Sequence, residues 1–172
     1  MFGTRWLWFV FILILFGAWQ SWQSRVVSVP EGYIAAPKEP IQTNAEKNKV
    51  FQQGMFELHV LANFDIEARV LSTESYHVGR DAELAPLDMA LGWGAMSNSS
   101  VLSGISISQG NRFYYYQWQN TPPIPPDEIA KHSANMHLIP TNSAIEKKLN
   151  AVRVGQVVLI TGQLVEARTT DG

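Results

Sequence analysis

Residues 6 to 19 read WLWFVFILILFGAW, with no charge and no strongly polar group. As an α-helix this run is about 21 Å long, short of a bilayer core of roughly 30 Å. Its flanks extend it, so that Phe2 to Trp22 spans about 30 Å. Trp6 and Trp8 stand near one end, Trp19 and Trp22 near the other, where indole rings favour the membrane interface. Arg5 precedes the run and Arg25 follows it. The positive flank and amino terminus favour a cytoplasmic N-terminus, and Arg25 weakens that bias. A cleaved signal peptide competes with this reading. Cleavage wants small residues at alternating positions after the apolar core, and here the exit is Gly17-Ala18-Trp19-Gln20-Ser21-Trp22. An uncleaved signal-anchor over residues 1–24 is therefore expected. It makes the chain a single-pass membrane protein, with its folded part periplasmic or otherwise extracytoplasmic. A helix buried in a water-soluble domain is disfavoured, because the run is apolar on every face.

The remaining composition excludes several functions. Lys and Arg number 13 against 15 Asp and Glu, too even a balance for nucleic-acid binding through bulk positive potential. Without cysteine there is no disulfide, thiolate zinc site or cysteine nucleophile. Residues 25–50 carry Pro30, Pro37 and Pro40 and a polar Glu46 to Lys49 stretch, which predicts an extended linker. Residues 51–172 are expected to form a β-rich soluble domain.

Within that domain Phe64 to Val70 alternates apolar and polar residues, predicting a strand with Phe64, Ile66, Ala68 and Val70 inward and Asp65, Glu67 and Arg69 outward. Ala82 to Leu91 suggests a short helix around Pro86-Leu87-Asp88-Met89-Ala90-Leu91, ended by Gly92 and Gly94. Asn98 has the character of an N-cap for a helix over 99–103. Ile105 to Ser108 and Arg112 to Trp118 predict a hairpin about Gln109-Gly110-Asn111. A polyproline stretch over 121–126 leads to a helix over 127–133 and a brief strand over 136–139. Ser143 to Glu146 has capping-box spacing and opens a helix to about Asn150. Val157 to Ala167 forms a long strand, with Gly162 as a bulge or bend. The class is α+β, β-rich: a small, partly open OB-like barrel with short helical insertions, preceded by one transmembrane helix.

Gly79 to Gly94, Ile107-Ser108-Gln109, Pro122 to Pro125 and Ser133 to Pro140 resemble blocks in a family of uncharacterised bacterial membrane-anchored proteins. The resemblance spans roughly residues 24–170 and implies the anchored architecture, but no activity. It also implies an aromatic-rich return strand after the final turn. Thr169-Thr170-Asp171-Gly172 ends in a hairpin dipeptide. An incompletely paired edge along 157–167 and loose residues 169–172 are therefore expected. Truncation, pairing elsewhere in the chain, or a partner's strand would each account for that edge.

The candidate catalytic residues are His132, Asn135, His137, Asp81 and Asp88. Ser133-Ala134-Asn135-Met136-His137 gathers a hydroxyl, an amide and an imidazole in five residues, but local spacing does not make a triad. Capping of the helix end by Ser133 and Asn135 is the simpler use. His132 and His137 lie five apart, which is not the spacing that puts two ligands on one helix face. A metal site would need His59, His77, His132 or His137 to converge with carboxylates in the fold. No metal and no cofactor are expected. Arg80, Trp93 and Tyr115 are the binding candidates. Arg80 with Asp81, Glu83 and Asp88 could form a polar pocket walled by Trp93, although an ion-pair network over a core tryptophan suits the same residues. Aromatics over 113–118 would stack on a sugar if one face stays open. The leading expectation is a non-enzymatic membrane-anchored envelope protein that binds a partner protein or an envelope glycan, and no nucleic acid. The alternative is an envelope hydrolase or metal-dependent enzyme built on the His/Asn/carboxylate cluster.

Overall fold

A computed structural model describes residues 4–23, 25–46 and 48–169. Helix α1 covers Thr4–Gln23; Phe2 lies outside the described residues. From Trp6 to Phe16 the large apolar side chains Trp6, Leu7, Trp8, Phe9 and Phe11 to Phe16 are exposed. Among the described residues no helix is long and apolar enough to cross a membrane.

Strands β1 (Ile41–Asn44), β2 (Val50–Gln53) and β3 (Phe56–Ser75) open the domain. Next come α2 (Arg80–Leu84), β4 (Leu87–Gly92), a 3-10 turn (Gly94–Ser97) and α3 (Ser99–Leu102). The hairpin β5 (Ser106–Gly110) and β6 (Phe113–Gln117) precedes α4 (Pro126–Lys131) and β7 (Ser133–Leu138). Helix α5 (Ser143–Asn150) and β8 (Val157–Thr169) complete the chain.

The fold is α+β and strand-rich. Twenty-residue β3 organises one antiparallel sheet of six strands that does not close. Arg69 pairs with Val157 on one edge and Gly92 on the other. Strand β8 therefore fills one side of β3, while β2, β1 and β4 follow one another along the other side. Beyond β4 lies β7. Among the described residues β8 has no strand on its far side, so the edge expected along 157–167 is present. Residues 170–172 of the expected loose end lie outside the described residues, and Thr169 is the last residue of β8.

Alternation along β3 divides the core. Ile66, Ala68 and Val70 join Met89, Leu91 and Trp93 on one face, against Leu149, Val152 and Ile160. The opposite face brings Leu71 and Ala90 against Met96, Ile105, Ile129 and the inner aromatics Tyr114, Tyr116 and Trp118 of the hairpin. Phe64 is only half-buried, and Asp65 is exposed as expected. Arg69 is not: it is buried, because the turn around Ser97 to Ser99 closes over it.

Several local expectations are corrected. Residues 87–92 are a strand, not a helix; β4 is buried throughout, and a short apolar run covered on both faces has no alternation to separate it from helix. Helix α4 starts at Pro126 and ends at Lys131, so Ser133 and Asn135 lie in β7. Gly162 sits in regular register opposite Phe64, and the irregularities fall in β3 between Val60 and Ala62 and between Val70 and Ser72. The cap of α5 is Asn142, whose side chain accepts from the amides of Ala144 and Ile145. The hairpin turns at Asn111 and Arg112, both at positive φ, as a two-residue turn matched to strand twist requires. Asn98 does cap α3, accepting from the Ser100 amide.

The stretch taken as a linker is laid along the domain. Val27 donates to the Val154 carbonyl, Ala36 accepts from Gly94, and β1 pairs with β3. Gly155 has φ of 89° and no room for a Cβ, because the Val27 carbonyl lies against it.

Candidate functional site

Antiparallel pairing sets Asp88 of β4 directly opposite His137 of β7, and Ala90 opposite Asn135. Asp88 thus points to the hairpin face of the sheet, one residue out of phase with Met89. The two-residue hairpin turn lowers Arg112 onto the same spot. Asp88 is fully buried. Its Oδ1 accepts from Arg112 Nη1 at 2.8 Å and lies 2.9 Å from His137 Nδ1. Its Oδ2 is buried with no hydrogen-bond partner.

Arg112 is fixed from several sides. Its Nη1 also donates to the Ala85 carbonyl, and its amide donates to the Tyr76 hydroxyl. The guanidinium lies 3.8 Å from the Tyr76 ring centre, a cation–π contact. Asn135 Nδ2 donates to the Arg112 carbonyl, and Gln109 Nε2 donates to Asn135 Oδ1. The result is one hydrogen-bonded cluster of Tyr76, Asp88, Gln109, Arg112, Asn135 and His137, in which only the imidazole of His137 is exposed to a large extent.

Three of the five catalytic candidates, Asp88, Asn135 and His137, are thus brought together. His132 and Asp81 are not among them. His132 lies below the 3-10 turn, with Nδ1 2.9 Å from the Glu128 carbonyl and Nε2 3.2 Å from Glu39 Oε1. Glu39 also accepts from Trp93 Nε1 at 2.8 Å. Asp81 is exposed on α2, where its carbonyl accepts from the Ala85 amide. Trp93 is a buried core residue and not the wall of a pocket. Arg80 opens α2 and is exposed, and Tyr115 is exposed beside Phe113 on the outer face of the hairpin. Ser133 donates to the Ile129 carbonyl at 2.6 Å, closing the end of α4 as the simpler reading holds, while Asn135 does not.

The histidines pair with different carboxylates: His59 with Glu57, His132 with Glu39 and Glu128, His137 with Asp88. His77 is exposed. Among the described residues no group of three or more His, Asp or Glu could hold a metal ion. Beside the cluster, burial raises the pKa of the Tyr114 hydroxyl, against a weaker opposing hydrogen bond with Ser133.

Sequence reasoning missed Arg112, Gln109 and Tyr76. Arg112 had a usable signal, since a residue in a tight hairpin turn is held over whatever its sheet face covers. Gln109 and Tyr76 carried none, because only strand pairing brings them near β7.

Compared with family models, with curated proteins and with solved structures, the chain matches none. Chemistry at the cluster is therefore judged on geometry alone. A carboxylate orienting an imidazole supplies a base, but the serine nearest to His137 in sequence, Ser133, is committed to Ile129.

Proposed function

We propose that this chain is a membrane-anchored protein of the bacterial envelope whose strand-rich domain binds a partner outside the cytoplasm and performs no catalysis. One observation carries the reading. Helix α1 is apolar on all sides, and its side chains from Trp6 to Phe9 and from Phe11 to Phe16 are exposed instead of packing into the domain core. A helix of that character is stable in an apolar surround, and a bilayer is the simplest one. The apolar run is shorter than a hydrocarbon core, so its polar flanks would sit among the headgroups, with local thinning of the bilayer. The OB-like assignment belongs to this proposal too; it is supported by β3, which is long, twice irregular and paired at both edges. Partner classes compatible with the exposed surface are a protein strand added to the β8 edge and a glycan stacked on Phe113 and Tyr115.

The test is extraction of the full chain from membranes, followed by intact-mass measurement. Resistance to alkaline carbonate, release by detergent and a mass that includes the first 20 or so residues are expected. Recovery in the aqueous fraction, or a mass lacking those residues, would overturn the anchor.

A hydrolase is the second reading, favoured by the Asp88–His137 pair with Asn135 alongside. It would use the pair to activate water, since the Ser133 hydroxyl is committed to the Ile129 carbonyl. Turnover of an activated ester that is lost in His137→Gln, with the fold intact, would bring it forward.

A further inference from the structure

Arg69 is 8% exposed, a cation placed where charge is costly unless paired. Its Nη1 donates to the Ser97 carbonyl at 3.2 Å and to Ser99 Oγ at 2.7 Å. Both acceptors are neutral. Among the described residues no carboxylate is paired with it, and burial pulls its pKa down without an opposing charge. Arg112, the other arginine under the hairpin face, does have its carboxylate in Asp88. The two differ in another respect: Arg69 lines a cleft of about 260 Å³ whose other walls are Val26, Leu71, Leu102, Ile105 and Ile107 together with the turn at Val154.

We infer that this cleft binds an anionic amphiphile, its phosphate or carboxylate on Arg69 and its alkyl portion along Leu102, Ile105 and Ile107. A guanidinium keeps its charge at neutral pH and offers five N–H donors in a planar fork. The two protein acceptors bind Nη1, and among the described residues none is seen on Nη2 or Nε, the two donors with which a guanidinium can bind an anion in a bidentate manner. The remaining walls offer aliphatic surface and suit a methylene chain. At about 30 Å³ for each water-sized group, the cleft holds a headgroup oxygen set and a short length of chain. Val26, which lines the cleft, follows α1 by a few residues, and its segment is held by Val27 to Val154 and by Ser99 to the Val29 carbonyl. A membrane phospholipid, with its phosphate ester and acyl chain, and a free fatty acid or alkyl phosphate share this chemistry. The inference deepens the membrane-binding reading and rests on it for the lipid source only.

The experiment uses the full chain in dodecyl maltoside micelles, with heats of protein-free micelles subtracted. It is titrated with octyl phosphate, with octanol and with inorganic phosphate. Octyl phosphate is expected to bind once per chain, about tenfold or more tighter than either half-ligand, the gain expected of one charge-assisted contact. Arg69→Gln should remove that gain and leave octanol unchanged. Leu102→Trp, which fills the apolar wall and keeps Arg69, should remove octyl phosphate binding while thermal unfolding stays close to that of the parent. Native mass spectrometry of chain taken directly from membranes then separates the sources: a retained phospholipid identifies the lipid, and its absence with octyl phosphate still bound identifies a soluble amphiphile. Equal affinity for octyl phosphate and octanol overturns the inference, as does unchanged binding in folded Arg69→Gln. If Arg69→Gln does not fold, unchanged binding in Leu102→Trp overturns it. Because binding is read in detergent, failure of the anchor appears only in membrane extraction.

Discussion

Ile66 and Leu159 are both apolar strand residues, yet one is 1% exposed and the other 78%. That difference sets what a carboxylate costs at each place. Ile66→Asp puts an unpaired charge into the core cluster that Ile66 shares with Met89 and Leu91 and should cost about 4 kcal/mol or more. Leu159→Asp should stay within about 0.5 kcal/mol of the parent. Urea unfolding of the two variants checks the face assignment, and a stable Ile66→Asp chain would reverse it. Asp88 is a different case, since its carboxylate holds Arg112 and His137 together. Asp88→Ala leaves the Arg112 charge without its partner and should cost about 3–5 kcal/mol. Adding Arg112→Ala should cost far less than a second independent loss, because the pair has already gone. A double-mutant cycle with additive costs would show that the two do not interact.

Tyr114 links the residue scale to pH. An unfolded tyrosine loses its proton near pH 10, whereas burial holds the proton on Tyr114 in the folded chain. The stability this contributes is full below about pH 10 and is lost as pH rises through the higher folded value. Between about pH 9 and 11 the thermal midpoint of the parent should fall more steeply than that of Tyr114→Phe. Parallel midpoint curves would show that Tyr114 ionises alike in both states.

At the scale of elements, strands and helices with one covered face were legible and those with two were not. Strand β3 around Phe64 to Val70, the hairpin, α5 and β8 all showed their period because one side meets solvent. Residues 87–92 showed none, since β4 lies between β3 and β7 with both faces covered. Half of the polar cluster was legible by residue type in Asp88, Asn135 and His137. Its other half depends on strand register and on a turn that brings Arg112 down from 24 positions away. His132 looked equivalent to His137 in sequence, but the end of α4 turns it toward Glu39 instead. Short α5 illustrates a local rule that a small spacing error displaced by one residue. Asn142 caps both the Ala144 and Ile145 amides, so Asn142→Ala should cost about 1 kcal/mol, against a few tenths for Ser143→Ala. Equal effects in chemical denaturation would return the cap to Ser143.

For the whole molecule the decisive boundary is the one between helix and domain. Residues 25–50 were expected to act as a spacer, and a spacer can be cut without loss. The segment instead gives the domain a set of contacts spread along its length. Val27 binds the 154 turn, the Ser99 hydroxyl binds the Val29 carbonyl, Ala36 bonds Gly94 and Ser97, Glu39 accepts from Trp93, and β1 pairs with β3. Ala35 and Ala36 of the segment are themselves buried. At about 1 kcal/mol net per hydrogen bond, these five bonds outside β1 alone are worth several kcal/mol. Removing residues 1–24 should therefore leave the thermal midpoint of the domain where it is. Removing residues 1–46 should lower it by on the order of 10 °C, at about 2–4 °C per kcal/mol for a domain of this size. Scanning calorimetry of the two shortened chains beside the full one measures both steps. Should the two deletions melt together, the segment is a spacer after all, and the wall it lends to the Arg69 cleft would go with it.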